Sequence, residues 1–435
     1  MSTRLAVAEV RFVPAGRGIV AHGLDAPRTA DEFDEYSLSV AGWVIGAKAP
    51  VRSVELWVDG RVVKRSPVDV VRPDVAERHP AVATVPCGFT TGLGLLGMPP
   101  RCTVEVRAAL EDGDGAPLGE IVVDRRALPH GAAAAFQPLM VTSLGRMGTT
   151  WCMRLLAEHP SVVAYRSYPY ELMVGRYWAH QLHVLAGPAD YDASGSPDTF
   201  AHDEGRVGSN PFYGPMVRES PDLAHYLGGT QVERLARFCV ESIDGFYGEL
   251  ARRQEQHPHG YFAEKFLPDH LPSLMRELYP AAREIFLVRD IRDVVCSMLA
   301  FNAKRGNQSF GRDKARDDVE FVRQLARDIA VLRDHWEARG SSGLLVRYED
   351  LVRHPRSALR RMLAYLELDH DGATVDGILG RADGAMAGFA DHRTSAGPEQ
   401  SIGRWRRDLA PELLAVCEAE MDATLAAFGY EVRAA

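Results

Sequence analysis

Cysteine is scarce in this chain and never paired at short range. Six cysteines among 435 residues (Cys87, Cys102, Cys152, Cys239, Cys296 and Cys417) include no Cys-x-x-Cys spacing. That excludes zinc-ribbon and disulfide-framework folds and makes buried thiols the expectation. Long apolar runs are missing too. No stretch reaches the roughly 18 to 20 residues that a membrane-spanning helix needs, and the first ten residues lack the apolar centre of a signal peptide. A cytoplasmic protein is expected. Positive charge is not in excess either: the formal net charge is −9, so nucleic acid and heparin-like chains find no general attraction. Any grip on phosphate must therefore come from local arginines. The remaining composition, 46% hydrophobic and 25% charged, is that of an ordinary globular protein of about two to three domains.

One further absence sits inside the most informative segment, Pro138-Leu-Met-Val-Thr-Ser-Leu-Gly-Arg-Met-Gly-Thr-Thr-Trp-Cys-Met-Arg-Leu-Leu156. An apolar run reads as a buried strand, the stretch Ser143 to Thr150 as a glycine-bearing turn, and Trp151, Leu155 and Leu156 as one face of a helix. Backbone N–H groups at such a helix start have no intrahelical partners, and the helix dipole adds positive potential. An anionic phosphate fits there. Gly145 and Gly148 allow close backbone approach, and the hydroxyls of Thr149 and Thr150 can donate to phosphate oxygens. A tight turn that simply needs small residues is the competing reading. Thr149 stands where a Walker loop carries lysine, and the cation sits upstream as Arg146, which disfavours Mg-dependent phosphoryl transfer.

Glu284-Ile-Phe-Leu-Val-Arg-Asp-Ile-Arg-Asp-Val-Val-Cys-Ser-Met298 repeats the strand, turn and helix pattern, with Arg289 at the strand end and Ser297 further on. A parallel strand delivers its last residue to the carboxyl edge of the sheet, where open α/β folds bind ligands. Arg289 and Ser297 can converge there on one phosphate. A surface ion pair is the plainer alternative for an Arg-Asp dipeptide.

Together these segments resemble the paired signatures of the sulfotransferases that use 3′-phosphoadenosine 5′-phosphosulfate (PAPS). The first family loop, Ser/Pro-Arg/Lys-Ser-Gly-Thr-Thr-Trp, stands here as Gly145-Arg-Met-Gly-Thr-Thr-Trp151. The second, Val-Arg-Asp-Pro-Arg-Asp followed by a serine, stands as Val288-Arg-Asp-Ile-Arg-Asp293 with Ser297. Val346-Arg-Tyr-Glu-Asp-Leu351 and Gly403-Arg-Trp-Arg-Arg-Asp-Leu409 resemble two further family segments in the same order. The resemblance covers about residues 136 to 435 and implies a PAPS co-substrate, a PAP product and no metal. It implies that Arg146, Gly148, Thr149 and Thr150 hold the 5′-phosphosulfate, with Arg146 also stabilising the leaving group. Arg289 and Ser297 would hold the 3′-phosphate, and Trp151 would stack on adenine, the alternative being a core residue of its helix. Ser401 and Arg404 fall where the family's C-terminal loop covers the 3′-phosphate, although its Arg-Lys-Gly triplet is absent; Arg393 is a substitute.

The general base departs from the commonest family pattern. Lys265 is followed two positions later by Leu267 rather than histidine, and leucine cannot take a proton. Two replacements are open. Glu171, in Tyr168-Pro-Tyr-Glu171, falls near the acidic base of carbohydrate and tyrosylprotein sulfotransferases; His270, in the neighbouring turn, has an imidazole suited to base work near neutral pH. Glu171 is preferred.

The expected fold class is α/β: a P-loop-like parallel sheet flanked by helices over residues 138–435, preceded by a small all-β sandwich over residues 1–126 and a low-complexity linker at 127–137. Alternating apolar and polar residues in Tyr36–Ile45, Val51–Val58, Cys102–Arg107 and Gly119–Asp124 read as half-buried strands. Asp59-Gly60 supplies hairpin chemistry. Val58-Asp-Gly60, Arg72-Pro-Asp-Val75 and Gly88-Phe89 resemble β-sandwich modules attached to some bacterial glycosyltransferases, implying a docking or an acceptor-binding role. In the larger part, strands over 161–165, 260–266, 284–288 and 343–348 alternate with helices including 319–336 and 411–428, as a parallel sheet requires. The Gly-, Pro- and Ser-rich stretch 186–215 reads as a lid or acceptor wall, a disordered segment being the alternative. The partners implied are a small-molecule, glycan or lipid-linked acceptor, with a homo-oligomer an open option. Rival readings are a P-loop kinase or nucleotide hydrolase and a non-catalytic PAPS- or PAP-binding protein.

Overall fold

The computed structural model describes residues 3–16, 18–48, 50–110, 115–187, 222, 223, 226, 230–256, 260–383 and 394–432. Arg393 and nearly all of the 186–215 stretch lie outside the described residues. The chain divides into two compact units, Met1–Ala132 with Trp178–Val240, and Ala133–Tyr177 with Glu241–Ala435. The first unit thus includes a segment far along the chain from its strands.

In that first unit, β1 (Leu5–Phe12), β2 (Ile19–Ala26), β3 (Glu32–Phe33), β4 (Ser37–Gly46), β5 (Ser53–Val58), β6 (Arg61–Pro67), β7 (Gly88–Gly94), β8 (Arg101–Ala109) and β9 (Gly115–Arg125) form two antiparallel sheets, ordered β3-β1-β9-β8-β5-β6 and β2-β4-β7. Alternation decides the burial: in β8, Cys102, Val104, Val106 and Ala108 are buried while Arg101 and Thr103 are exposed. Residues of both sheets share one core, including Leu38, Val40, Leu56, Val104 and Ile121. Between β5 and β6, Asp59 and Gly60 adopt φ of 49° and 72°, the left-handed conformations of a tight hairpin.

The second unit contains a parallel sheet of β10 (Phe136–Thr142), β11 (Val162–Val163), β12 (Gly260–Phe266), β13 (Arg283–Val288) and β14 (Gly343–Arg347), ordered β11-β12-β10-β13-β14. Every pairing is parallel. Helices cover both faces, which is why β10 and β13 carry the continuous apolar runs Pro138–Val141 and Ile285–Val288 rather than alternating ones. β13 sends Ile285 and Leu287 into one core and Phe286 and Val288 into the other. Each such fully buried side chain contributes about 1.5 to 3 kcal/mol. The chain leaves β10 toward β11, returns through β12 and then crosses to β13 and β14. Connections therefore diverge on either side of β10, and a crevice opens outside the strand ends at such a point.

Candidate active site

The crevice begins where β10 ends. Ser143 Oγ donates to Leu287 O at 2.7 Å, tying the turn to β13. Gly148 is the residue immediately before the helix Thr149–Ala157 and has φ 93°, ψ 16°. A Cβ at Gly148 would strike the Tyr348 ring, so both conformation and space demand glycine. The helix consequently starts hard against the turn, with the N–H groups of its first residues and the hydroxyls of Thr149 and Thr150 at the crevice.

Two arginines face this helix start. Arg289, at the end of β13, is 5% exposed and spends its Nη groups on backbone carbonyls, Arg146 O at 3.2 Å and Ser401 O at 2.6 Å. Its Nε is buried with no hydrogen-bond partner among the described residues. A buried guanidinium with a spare donor, and no carboxylate bonded to it among the described residues, suits an anion. Arg146 donates from Nε to Ser297 Oγ at 3.1 Å and lies over the Phe301 ring at 4.7 Å. Burial, with the neighbouring Arg289 adding repulsion, holds Arg146 below the usual arginine value. An anion bound between them relieves both penalties. Tyr348 completes this wall, with the Arg289 guanidinium 4.9 Å from its ring centre.

The four segments that resemble family signatures are locked to one another. Asp290 accepts from Arg292 N at 3.1 Å, capping the helix Ile291–Arg305, and its backbone N–H donates to Glu349 at 3.0 Å. Asp293 accepts from Gly403 N at 2.7 Å and Trp405 N at 2.9 Å. Burial pushes the Asp293 carboxyl up, against those two backbone donors. The acidic residues of the second segment therefore act as anchors: Asp290 for its own helix and Asp293 for the stretch that carries Ser401 and Arg404.

On the other side of the helix start, Lys265 Nζ at the end of β12 donates to Glu171 Oε1 at 2.8 Å, Pro169 O at 2.8 Å and Thr150 Oγ1 at 3.1 Å. Burial lowers the Lys265 pKa, while Glu171 pulls it up. Glu171 itself remains 45% exposed at its side chain, open to a hydroxyl in the crevice.

Arg146, Gly148, Thr149, Thr150, Trp151, Glu171, Arg289, Ser297 and Ser401 line a single cavity of about 660 Å³. The Sulfotransferase family model matches residues 138–372, more than half of the chain. The chain belongs to the sulfotransferase family. Carbohydrate sulfotransferase 3 of Mus musculus is 28% identical over 162 residues, 34% of this chain and 34% of that protein, so the match spans about a third of the relative's length. Among solved structures, the sulfotransferase domain from the curacin biosynthetic pathway is 15% identical, with 69% of this chain and 100% of that chain covered at a TM-score of 0.39. Retinol dehydratase in complex with androsterone and inactive cofactor PAP is 14% identical, with coverage of 78% and 93% and a TM-score of 0.36.

The remaining predicted residues lie as follows. Trp151 is half-buried, packing against the core on one side and lining the cavity on the other. Ser401 Oγ pairs with Tyr348 Oη at 3.2 Å. Arg404 lines an adjacent polar cavity of about 370 Å³ instead, where it pairs with Asp408 at 2.8 Å and donates to Thr394 O at 3.1 Å. His270 precedes the helix Leu271–Leu278 and does not line the main cavity. In the sequence Lys265 stands out only for the histidine missing after it, and Tyr348 only as part of Tyr-Glu-Asp-Leu, although both pack against the candidate site.

Proposed function

We propose that the protein transfers a sulfuryl group from PAPS to a hydroxyl of a small-molecule, sugar or lipid-linked acceptor. One observation carries the reading: the Gly145–Thr150 turn, the Arg289 and Ser297 pair and Trp151, drawn from separate elements, line one cavity. Its chemistry suits a nucleotide with two separate anionic groups. The spare donor on buried Arg289 and the glycine-only backbone at Gly148 support phosphate on both sides of the helix start.

The donor supplies an activated sulfuryl group on a phosphate leaving group. Thr149, Thr150 and the first helical N–H groups orient the phosphosulfate end, and Arg146 offsets the charge that grows on the leaving oxygen. Arg289 and Ser297 fix the 3′-phosphate, and Trp151 takes the base. Glu171 Oε accepts the acceptor hydroxyl proton as that oxygen bonds to sulfur. Its exposure and its place at the cavity favour it over His270. Positioning and electrostatics carry most of the work, as in phosphoryl transfer. Residues 138–435 constitute the catalytic domain in this reading, and residues 1–126 an accessory domain. Buried thiols at all six cysteines fit a cytoplasmic location.

The test is thermal unfolding with PAP and with ATP, followed by labelled PAPS against a panel of sugars, phenols, glycolipids and natural-product scaffolds. PAP is expected to raise Tm and ATP with Mg²⁺ to leave it nearly unchanged. The reverse order removes the reading in favour of a nucleotide kinase or hydrolase. Stabilisation by PAP without transfer to any member of the panel favours a non-catalytic binding protein.

A further inference from the structure

Next to Lys265 on β12 stands Glu264, a carboxylate that is 1% exposed and that the proposed mechanism does not use. Its Oε1 accepts from Gly175 N at 2.6 Å, its Oε2 from Arg176 N at 3.0 Å, and Tyr247 Oη donates to Oε1 as well. Those two N–H groups belong to the first turn of the helix Val174–Ala186, which has no intrahelical acceptor for them. Leu172 and Met173, just before the helix, carry no capping oxygen. The cap is borrowed from a strand 89 positions away. Gly175 makes room for it: a Cβ there would lie 3.1 Å from Phe262 and 3.3 Å from both Glu264 oxygens.

The segment between Pro169 and Arg176 is therefore gripped twice by consecutive residues of one strand. Lys265 holds Pro169 O and the Glu171 carboxylate; Glu264 holds the N–H groups of Gly175 and Arg176. Consecutive strand residues point to opposite faces, so the two grips fix the segment from two sides. We propose that Glu264 is a positioning residue for catalysis, setting the placement of Glu171 by fixing the helix start just beyond it. This rests on Glu171 being the base. Burying a carboxylate is costly unless it is fully hydrogen-bonded, and here the cost is met for a helix start that a local serine or aspartate would serve equally well. The strand-borne cap adds what a local one lacks, a fixed distance between the helix start and Lys265.

The experiment is a double-mutant cycle of E264Q and E171Q, read as kcat and KM with labelled PAPS and whichever hydroxyl compound of the panel takes up label, alongside PAP affinity by calorimetry. E264Q is expected to lower kcat about 10- to 100-fold through misplacement of the base, with PAP affinity unchanged. In the E171Q background the same change should cost less than about twofold, because the residue it positions is already inactive. Equal fold-losses in both backgrounds mean a general structural role and overturn the inference. A large loss in E171Q beside parental turnover in E264Q overturns the inference alone, whereas parental turnover in E171Q removes the base reading and the inference with it. Should E264Q not fold, G175A perturbs the same junction while keeping the carboxylate. It should lose several-fold in kcat, again suppressed by E171Q, and a parental kcat in G175A counts against the proposal.

Discussion

Lys265 Nζ lies 2.8 Å from Glu171 Oε1, and the same ammonium reaches Thr150 Oγ1 at 3.1 Å. The candidate base and the first turn of the helix Thr149–Ala157 are thus joined through one buried cation. In the proposed reading, an anionic oxygen bound beside Thr150 would compete with Glu171 for the Lys265 N–H groups, and that competition would couple donor binding to the freedom of the base.

Glu171→Gln preserves shape and removes basicity. Turnover should fall by roughly 10²-fold or more, in line with general-base contributions, while PAP affinity stays near parental. His270→Ala should keep most of its turnover, since His270 does not line the cavity. Steady-state kinetics on both variants decide the matter: near-parental Glu171→Gln with an inactive His270→Ala transfers the role to the histidine.

Arg289→Ala and Ser297→Ala should each weaken PAP binding by about 1.5 to 3 kcal/mol, the usual loss for a charge-assisted hydrogen bond in a partly desolvated site. Arg289 is the more sensitive, because its guanidinium also ties Arg146 O and Ser401 O together. Calorimetry gives the affinities and circular dichroism the fold. Parental PAP affinity in both variants removes the 3′-phosphate assignment.

Most of this architecture was legible in the sequence where hydrophobic patterning and motif chemistry coincided. Buried on both faces, β10 and β13 carry the apolar runs Pro138–Val141 and Ile285–Val288, and the turn after β10 announced itself through Gly148 and its threonines. β7 was not legible because Gly88-Phe-Thr-Thr-Gly-Leu-Gly94 dilutes the two-residue period with glycine. The grouping of Trp178–Val240 with the N-terminal strands is tertiary and leaves no local trace. Arg146, Trp151, Arg289 and Ser297, which sit inside contiguous motifs, line one cavity. Lys265 and Glu264 were missed as working groups because their partners lie 94 and 89 positions away, at distances that no spacing rule encodes.

Gly148→Ala tests the turn itself. The added Cβ meets the Tyr348 ring in a backbone conformation that alanine disfavours, which costs on the order of 1 to 3 kcal/mol. Tm should drop and PAP stabilisation should vanish, since relief of the clash moves either the helix start or Tyr348 away from the cavity. A Gly148→Ala protein with parental Tm and PAP response would show that the tight approach is not needed.

The pH dependence follows from Lys265, which burial holds below its ordinary value of 10.5. Between its folded value and 10.5 the unfolded chain binds more protons at this lysine than the folded chain does, so through this group stability rises with pH across that window. Activity moves the other way. Once neutral, the amine no longer attracts Glu171 or an anion beside Thr150, so kcat should decline on the alkaline side at a pH below 10.5 even as this group's contribution to Tm grows. Lys265→Arg keeps a charge throughout, because guanidinium does not deprotonate in proteins, and should shift the alkaline limb of kcat upward whatever its effect on the absolute rate. Measuring kcat and Tm across pH 7 to 11 for the parent and this variant separates the two trends. An alkaline limb that stays in place in Lys265→Arg assigns it to a different group and removes Lys265 as the link between donor and base.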